Sequence, residues 1–419
     1  MPSLSPAWSW LRETPVLRGL PPEVAVVSAI AFCVALGFGI AAPALPLYAR
    51  QFDVSALWAS AVISVFALMR LVASAPAGWA IGRLGERRVL TWGLAIVAVS
   101  TAAAALAQDY GQLLVTRGLG GIGSSMFTVS AMSLLLRVVQ PGQRGRAAAA
   151  FQAGFLAGGV AGPAVGGAVI GISIRAPFVV YAVTLTLAAW VAARYLPRAP
   201  DDSEDEPLDE GSAAASDPSG EAPNLRAALR TRAYRAALGA NLTNGFVTFG
   251  LRFALVPLFV VEGLNQSASW AGIAFLVAAV AQALVLVPAG RLTDVMGRRP
   301  AMLAGTAATT AGMLLLALSG SLWLFLVAIL ILGGSAALMG SAPAAVVGDV
   351  AGRSGRGTVI AVFQMTSDFG AIVGPLVAGV LLDSLGFGWA FASGAAVAAL
   401  ATVLALAMPE TLRRDPVEA

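Results

Sequence analysis

The chain has 419 residues and a formal net charge of +4; 58% of its residues are hydrophobic and 11% are charged. Soluble domains carry about 25% charged residues, so a chain this apolar cannot cover its own surface in water, and lipid must be its outer solvent. With no His and a single Cys, Cys33, it excludes an intrachain disulfide and a Cys/His metal site, and it lacks the commonest general base.

In chain order, residues 1–23 read as a polar tail carrying Arg12 and Arg18. The apolar run that follows is too long for a cleavable signal core of about 7–15 residues, so the tail is expected to be retained. About 20 apolar residues cross roughly 30 Å of hydrocarbon. Runs of that length predict spans near 24–48, 55–80, 89–108, 111–136, 147–171 and 176–196, a first six-helix bundle over 24–196. Residues 197–235 are a linker: an acidic Pro/Ser/Gly-rich part with little to bury, then a basic part with Arg226, Arg230, Arg232 and Arg235 that suits an interfacial helix on anionic headgroups. A second bundle over 236–408 follows, with spans near 236–261, 268–290, 300–319, 321–346, 358–382 and 387–408, and a tail at 409–419. The expected fold class is all-α integral membrane, twelve helices in two six-helix repeats.

The cations are all arginine, and they divide unevenly. Arg12, Arg18, Arg83, Arg87, Arg88, Arg137, Arg144, Arg146, Arg291, Arg298, Arg299, Arg353, Arg356, Arg413 and Arg414 flank one side of the spans; Arg50 and Arg175 flank the other. The positive-inside rule places both termini in the cytoplasm. The arginine, alanine and glycine bias fits a GC-rich bacterial coding sequence, so a bacterial inner membrane is the expected location.

The two bundles repeat each other. An offset of 212 positions carries Pro76-Ala77-Gly78 onto Pro288-Ala289-Gly290, and Gly85 onto Gly297. The same offset carries Arg144-Gly145 onto Arg356-Gly357 and Phe151-Gln152 onto Phe363-Gln364. Gly158, Gly162-Pro163 and Gly167 fall on Gly370, Gly374-Pro375 and Gly379. Parallel repeats of this kind place a substrate site between the halves near mid-membrane.

Three motifs carry a family resemblance. The loop after the second span reads Gly78-Trp79-Ala80-Ile81-Gly82-Arg83-Leu84-Gly85-Glu86-Arg87-Arg88, and its counterpart reads Gly290-Arg291-Leu292-Thr293-Asp294-Val295-Met296-Gly297-Arg298-Arg299. In the fifth span, Gly158, Gly162, Pro163, Gly166 and Gly167 form G-x-x-x-G-P-x-x-G-G, with a partial copy at Gly374-Pro375. The fourth span has Arg117-Gly118-Leu119-Gly120-Gly121-Ile122-Gly123. Over its whole membrane region the chain resembles the major facilitator superfamily, and within it the twelve-helix drug:proton antiporter branch. The resemblance implies that the arginine loops gate the cytoplasmic face, that the fifth-span motif limits leak during exchange, and that Arg117 takes part in proton coupling. Two positions depart from the family pattern: Gly82 replaces the loop acid that Asp294 keeps, and Gly120 replaces the usual Gln of the fourth span.

Charges at bilayer depth are costly and mark cavities or partners. Arg70, Arg117, Arg252 and Asp368 fall at such depth, with Gln152, Asn241, Asn244 and Gln364 as polar lining. Asp368 is the acid nearest mid-membrane; it either pairs with an arginine to hold the bundle, loads a proton, or touches substrate. Three arginines against one aspartate disfavour cationic cargo. No phosphate loop of the G-x-x-x-x-G-K-[ST] type is present, so neither enzyme activity nor a cofactor is expected. The leading expectation is proton-coupled efflux of small amphipathic or drug-like molecules by a monomer, with protons and the bilayer as partners and no nucleic acid. An importer or facilitator of a sugar or organic metabolite, and a non-transporting receptor or scaffold on the same fold, remain alternatives.

Overall fold

The computed structural model describes residues 19–196, 225–351 and 356–412. The acidic part of the linker, Arg12, Arg18, Arg353, Arg413 and Arg414 lie outside these residues. Among the described residues there is no strand, and twelve helices are long and apolar enough to cross a membrane. Spans one to six are Pro22–Arg50, Ala56–Leu84, Glu86–Ala105, Tyr110–Val138, Arg144–Ile172 and Ala176–Tyr195. Spans seven to ten are Arg232–Gly263, Ser269–Met296, Arg298–Ala317 and Leu322–Val350. Span eleven is the helix Arg356–Leu385 and span twelve is Phe387–Leu406. A short basic helix, Leu225–Arg230, precedes span seven.

Span eight runs furthest past the C-terminal end of its apolar run, because its helix continues as a π turn over Leu292–Met296 and stops only at Gly297. Gly297 has φ 129° and its counterpart Gly85 has φ 77°. L-residues rarely adopt that backbone, so glycine is what allows the chain to turn there.

The chain divides into two compact units. Of the described residues, the first holds 19–54, 61–196 and Asn265–Leu276; the second holds Ser55–Ser60, 225–264, 277–351 and 356–412. Within the first, span one packs on spans five and six, and span three on spans four and six. Within the second, span seven packs on eleven and twelve, and span nine on ten and twelve. The repeat reaches down to single caps. Asp109 accepts the Gln112 N–H at 2.8 Å at the start of span four, and Ser321, 212 positions on, accepts the Leu324 N–H at 3.4 Å at the start of span ten. Each satisfies an otherwise orphaned helix amide. Inside the second unit, the Asp383 carboxylate accepts the N–H groups of Ala56 and Leu57 at 2.8 and 2.9 Å, capping the first turn of span two.

Spans one and seven depart from one another. Span one breaks between Ala41 and Ala44, where Pro43 lacks an N–H. Span seven instead widens into a π-helix over Asn244–Leu251 and again over Phe259–Gly263. The π turn shifts the register by one residue. Gly162 faces the Leu36 carbonyl and Gly374 faces the Phe246 carbonyl, which are 210 positions apart. Further along, Gly39 faces Pro163 and Gly250 faces Pro375, which puts the paired glycines 211 apart. A π insertion of one residue accounts for the difference, and such insertions concentrate at functional sites.

Candidate functional site

The small-residue faces are real contact faces. A Cβ on Gly162 would lie 2.5 Å from the Leu36 carbonyl and 2.8 Å from the Gly39 Cα; one on Gly166 would lie 2.9 Å from the Ile40 carbonyl. Gly158 likewise lies against the Phe32 carbonyl and Ala35. Span five thus runs backbone-to-backbone along span one, as small residues allow in lipid. Gly167 points elsewhere, to Ser269 and Gly272 of the same unit. In the second unit Gly370 and Gly374 repeat the arrangement against Leu242 and Phe246 of span seven.

The arginine loops are built differently in the two copies. In the second, Arg298 bridges two acids: Nη1 to Asp294 at 3.0 Å and Nε to Asp349 at 3.3 Å. In the first, Glu86 pairs with Arg137 at 3.2 Å and accepts the Ser133 hydroxyl at 3.3 Å. An offset of 212 maps Glu86 onto Arg298 and Arg137 onto Asp349. The same interhelical ion pair is therefore kept with its signs exchanged. Arg87 donates to the Ala193 carbonyl of span six, and Arg299 to the Leu406 carbonyl of span twelve. Arg83 lies over the Trp79 ring at 4.0 Å and Arg88 is exposed. Open space surrounds the Cβ positions of Gly78, Gly82 and Gly290, so the turn is made at Gly85 and Gly297.

The second copy has a further brace. Glu410, just past span twelve, accepts the N–H groups of Arg298 and Arg299 at 2.8 and 3.1 Å, and the Thr411 hydroxyl reaches Asp349 at 2.9 Å. Partial burial pushes the Glu410 carboxyl upward, but backbone donors from Leu412, Arg298, Arg299 and Thr411 outweigh it and hold its pKa below the ordinary value. A depressed carboxylate stabilises the fold above its unfolded pKa of about 4.3 and loses that contribution as pH falls through the folded value. Glu410→Gln is therefore expected to lower the unfolding midpoint at pH 7. The gap to the parent should close only in acid, below the ordinary carboxylate range. A gap that is constant down to strongly acidic pH would show that the charge is not what holds the cap.

The intramembrane charges have separate environments. Arg117 is 4% exposed, with its guanidinium 4.5 Å over the Phe66 ring and its Nε without an acceptor. Arg252 is half-buried; its Nε is enclosed and also lacks an acceptor. Asp368 is half-buried, next to Ser367, whose backbone lies against Gly245 of the π segment. Arg70, read as buried from its position in the apolar run, is exposed, as are Gln152 and Gln364; Asn244 is half-buried. Asn241 is not free to line a cavity: it is buried and its Nδ2 donates to the Phe363 carbonyl at 2.6 Å.

Two cavities are apolar. One of about 220 Å³ in the first unit is lined by Pro163, Ala164, Gly167, Ala168, Ser269, Ile273 and Leu276. One of about 330 Å³ in the second is lined by Ala344, Val347, Gly348, Ile360, Phe363 and Gln364. Gln364 is the one candidate polar residue that reaches either. Sequence reasoning missed Glu86, Asp349, Asp383 and Glu410. The first two were within reach, because carrying the repeat offset through charged positions exposes the inverted pair.

A family model described as Major Facilitator Superfamily matches residues 27–252 and 237–419, nearly the whole chain in two overlapping passes. The MFS-type transporter ppzB of Metarhizium rileyi (strain RCEF 4871) is 32% identical over 113 residues, 26% of this chain and 23% of that protein. The Quinolone resistance protein NorA of Staphylococcus aureus (strain MRSA252) is 24% identical over 115 residues, 27% of this chain and 30% of that protein. The chain thus spans less than a third of the length of these curated relatives in the matched stretch. Among solved structures, a bacterial homolog of the human lysosomal transporter Spinster, inward-facing and occupied, superposes with a TM-score of 0.69. The identity is 17%, over 92% of this chain and 95% of that one. The unoccupied form gives 0.66 at 19% identity over 92% and 94%. The twelve spans, the twofold sequence repeat and the family model agree: the chain belongs to the Major Facilitator Superfamily.

Proposed function

We propose that the chain exports small amphipathic, drug-like molecules in exchange for protons, by alternating access, across a bacterial inner membrane. The observation that carries the reading is the backbone-to-backbone seam of spans one and five. Gly158, Gly162 and Gly166 leave no room for a side chain there, so solvent has no path along that seam while the carrier changes access. That is what an exchanger driven by a proton gradient needs. The likeness to a resistance protein over part of the chain supports export over import. Asp368 is the proton-loading group in this reading: a half-buried carboxylate at mid-span changes its proton affinity as its surroundings change.

The test is reconstitution in proteoliposomes with an imposed pH gradient and a fluorescent amphipathic dye. Dye movement against its own gradient, matched by proton counterflow and collapsed by a protonophore, is the expected result. Movement that only equalises the dye and ignores the pH gradient would make the protein a facilitator instead.

Orientation is tested separately. Reporter tags inserted between residues 201 and 224, and fused after Ala419, should both report the cytoplasm, because the arginine-rich loops lie on their side of the spans. A periplasmic signal from either tag overturns the orientation.

A further inference from the structure

We propose that Arg252 receives an anionic group of the transported molecule, so that the preferred cargo is an amphipathic organic anion such as an aromatic carboxylate. Arg252 stands 20 residues from the Arg232 end of span seven and 11 from the Gly263 end, roughly 30 and 16 Å at 1.5 Å per residue. A guanidinium at that depth is expensive unless something compensates it. Its two counterparts are accommodated: Arg117 spreads its charge over the face of Phe66, and Arg70 is exposed. Arg252 has only a looser contact of the first kind, 5.6 Å against 4.5 Å for Arg117, and is not exposed. Its Nε is enclosed with no acceptor, and its guanidinium carbon lies over the ring of its own neighbour Phe253 at 5.6 Å from the centre, near the roughly 6 Å limit of a cation–π contact. No carboxylate or carbonyl among the described residues takes its N–H groups, yet the side chain is only half-buried, so an approach remains open.

The local backbone supports the assignment. The π-helix Asn244–Leu251 ends where Arg252 resumes the α-helix. The one-residue insertion rotates Arg252 away from the face that a regular helix would give it. Gly250, two residues before it, packs on Pro375, so the backbone at this point is pinned against span eleven. A pinned backbone and an unsatisfied planar donor make a preorganised receptor for a carboxylate, sulfonate or phosphate, which accept two parallel N–H bonds from a guanidinium. A lipid headgroup offers the same chemistry as a substrate anion; the depth of Arg252 favours the substrate.

The inference rests on the chain being a carrier of amphipathic molecules, but not on proton coupling or on the direction of transport. Equilibrium binding therefore tests it apart from both. The purified full-length protein in neutral detergent is titrated with 2-naphthoxyacetate, with the corresponding primary amide and with the corresponding trimethylammonium compound, following the thermal unfolding midpoint. The carboxylate is expected to stabilise the parent most and the ammonium compound least. Arg252→Gln should weaken the carboxylate roughly tenfold or more and leave the amide unchanged, while Arg252→Lys, which keeps the charge but not the fork, should lose only part. Should the glutamine variant not fold, the lysine variant and the three-compound ranking on the parent decide the matter alone. Failure of the carboxylate to bind the parent, equal binding of all three compounds, or carboxylate affinity unmoved by either substitution overturns the proposal. Competitive displacement of the carboxylate by phosphatidylglycerol assigns Arg252 to a lipid headgroup and also overturns it.

Discussion

Glu86→Arg should destabilise the protein by about 2–3 kcal/mol, and adding Arg137→Asp should recover most of the loss. Glu86 is enclosed, with 9% of its side chain exposed, while Arg137 is 42% exposed. Breaking a buried pair typically costs about 3–5 kcal/mol, and the exposure of one partner reduces that figure. The single substitution sets two arginines against each other. The double substitution rebuilds the pair with the polarity that Arg298 and Asp349 already have in the second copy. The same logic accounts for Gly82. Its counterpart Asp294 sits four residues before Arg298, an attractive spacing. In the first copy the residue four positions on is Glu86, so an acid at 82 would meet an acid. Gly82→Asp alone should therefore lower stability slightly, and should become neutral or favourable once Glu86→Arg and Arg137→Asp are present. Thermal unfolding midpoints of the full mutant cycle measure both couplings. A double mutant no more stable than the poorer single would show that the sign exchange is not an interchangeable solution of one packing problem.

The spans were legible in the sequence because hydrocarbon thickness fixes their length; every span begins within four residues of its apolar run. The repeat was legible because Gly and Pro are held by backbone constraints that both copies share: Gly85 and Gly297 turn the chain, and Gly162 and Gly374 admit a neighbouring helix. The Glu86–Arg137 pair was hidden by the same comparison. Matching identities finds conserved residues, whereas an ion pair needs only opposite signs. The π segment of span seven leaves no trace in hydropathy, since a one-residue change of hydrogen-bond register alters no side chain. Asn241 illustrates the limit for polar residues. A buried Asn must satisfy its amide, and whether it does so with a cargo or with the Phe363 carbonyl depends on which helix lies opposite. Arg117 and Arg252 are alike in the sequence, each a lone cation in an apolar span. The packing separates them: Arg117 is buried with Phe66 4.5 Å from its guanidinium, whereas Arg252 is half-buried and has its own neighbour Phe253 at 5.6 Å.

Asp368→Asn should abolish accumulation against a gradient while leaving downhill exchange of the same dye measurable. The substitution keeps the size and much of the hydrogen-bonding capacity of the side chain but removes its ability to gain and lose a proton. If Asp368 is the loading site, the cycle loses its energy input and keeps its passage. Uphill transport in the pH-driven liposome assay should fall to background, and counterflow without a pH gradient should persist at a reduced rate. The pH dependence supplies a second readout. The parent's exchange rate should vary with pH as the carboxyl titrates, and the asparagine variant should lose that variation. Asp368→Glu separates chemistry from position: it restores a titrating group displaced by one methylene, and should recover part of the uphill transport. Full uphill transport by the asparagine variant would remove Asp368 from the coupling step. Loss of counterflow in both variants would instead make it a structural member of span eleven, packed beside the π segment through Ser367 and Gly245.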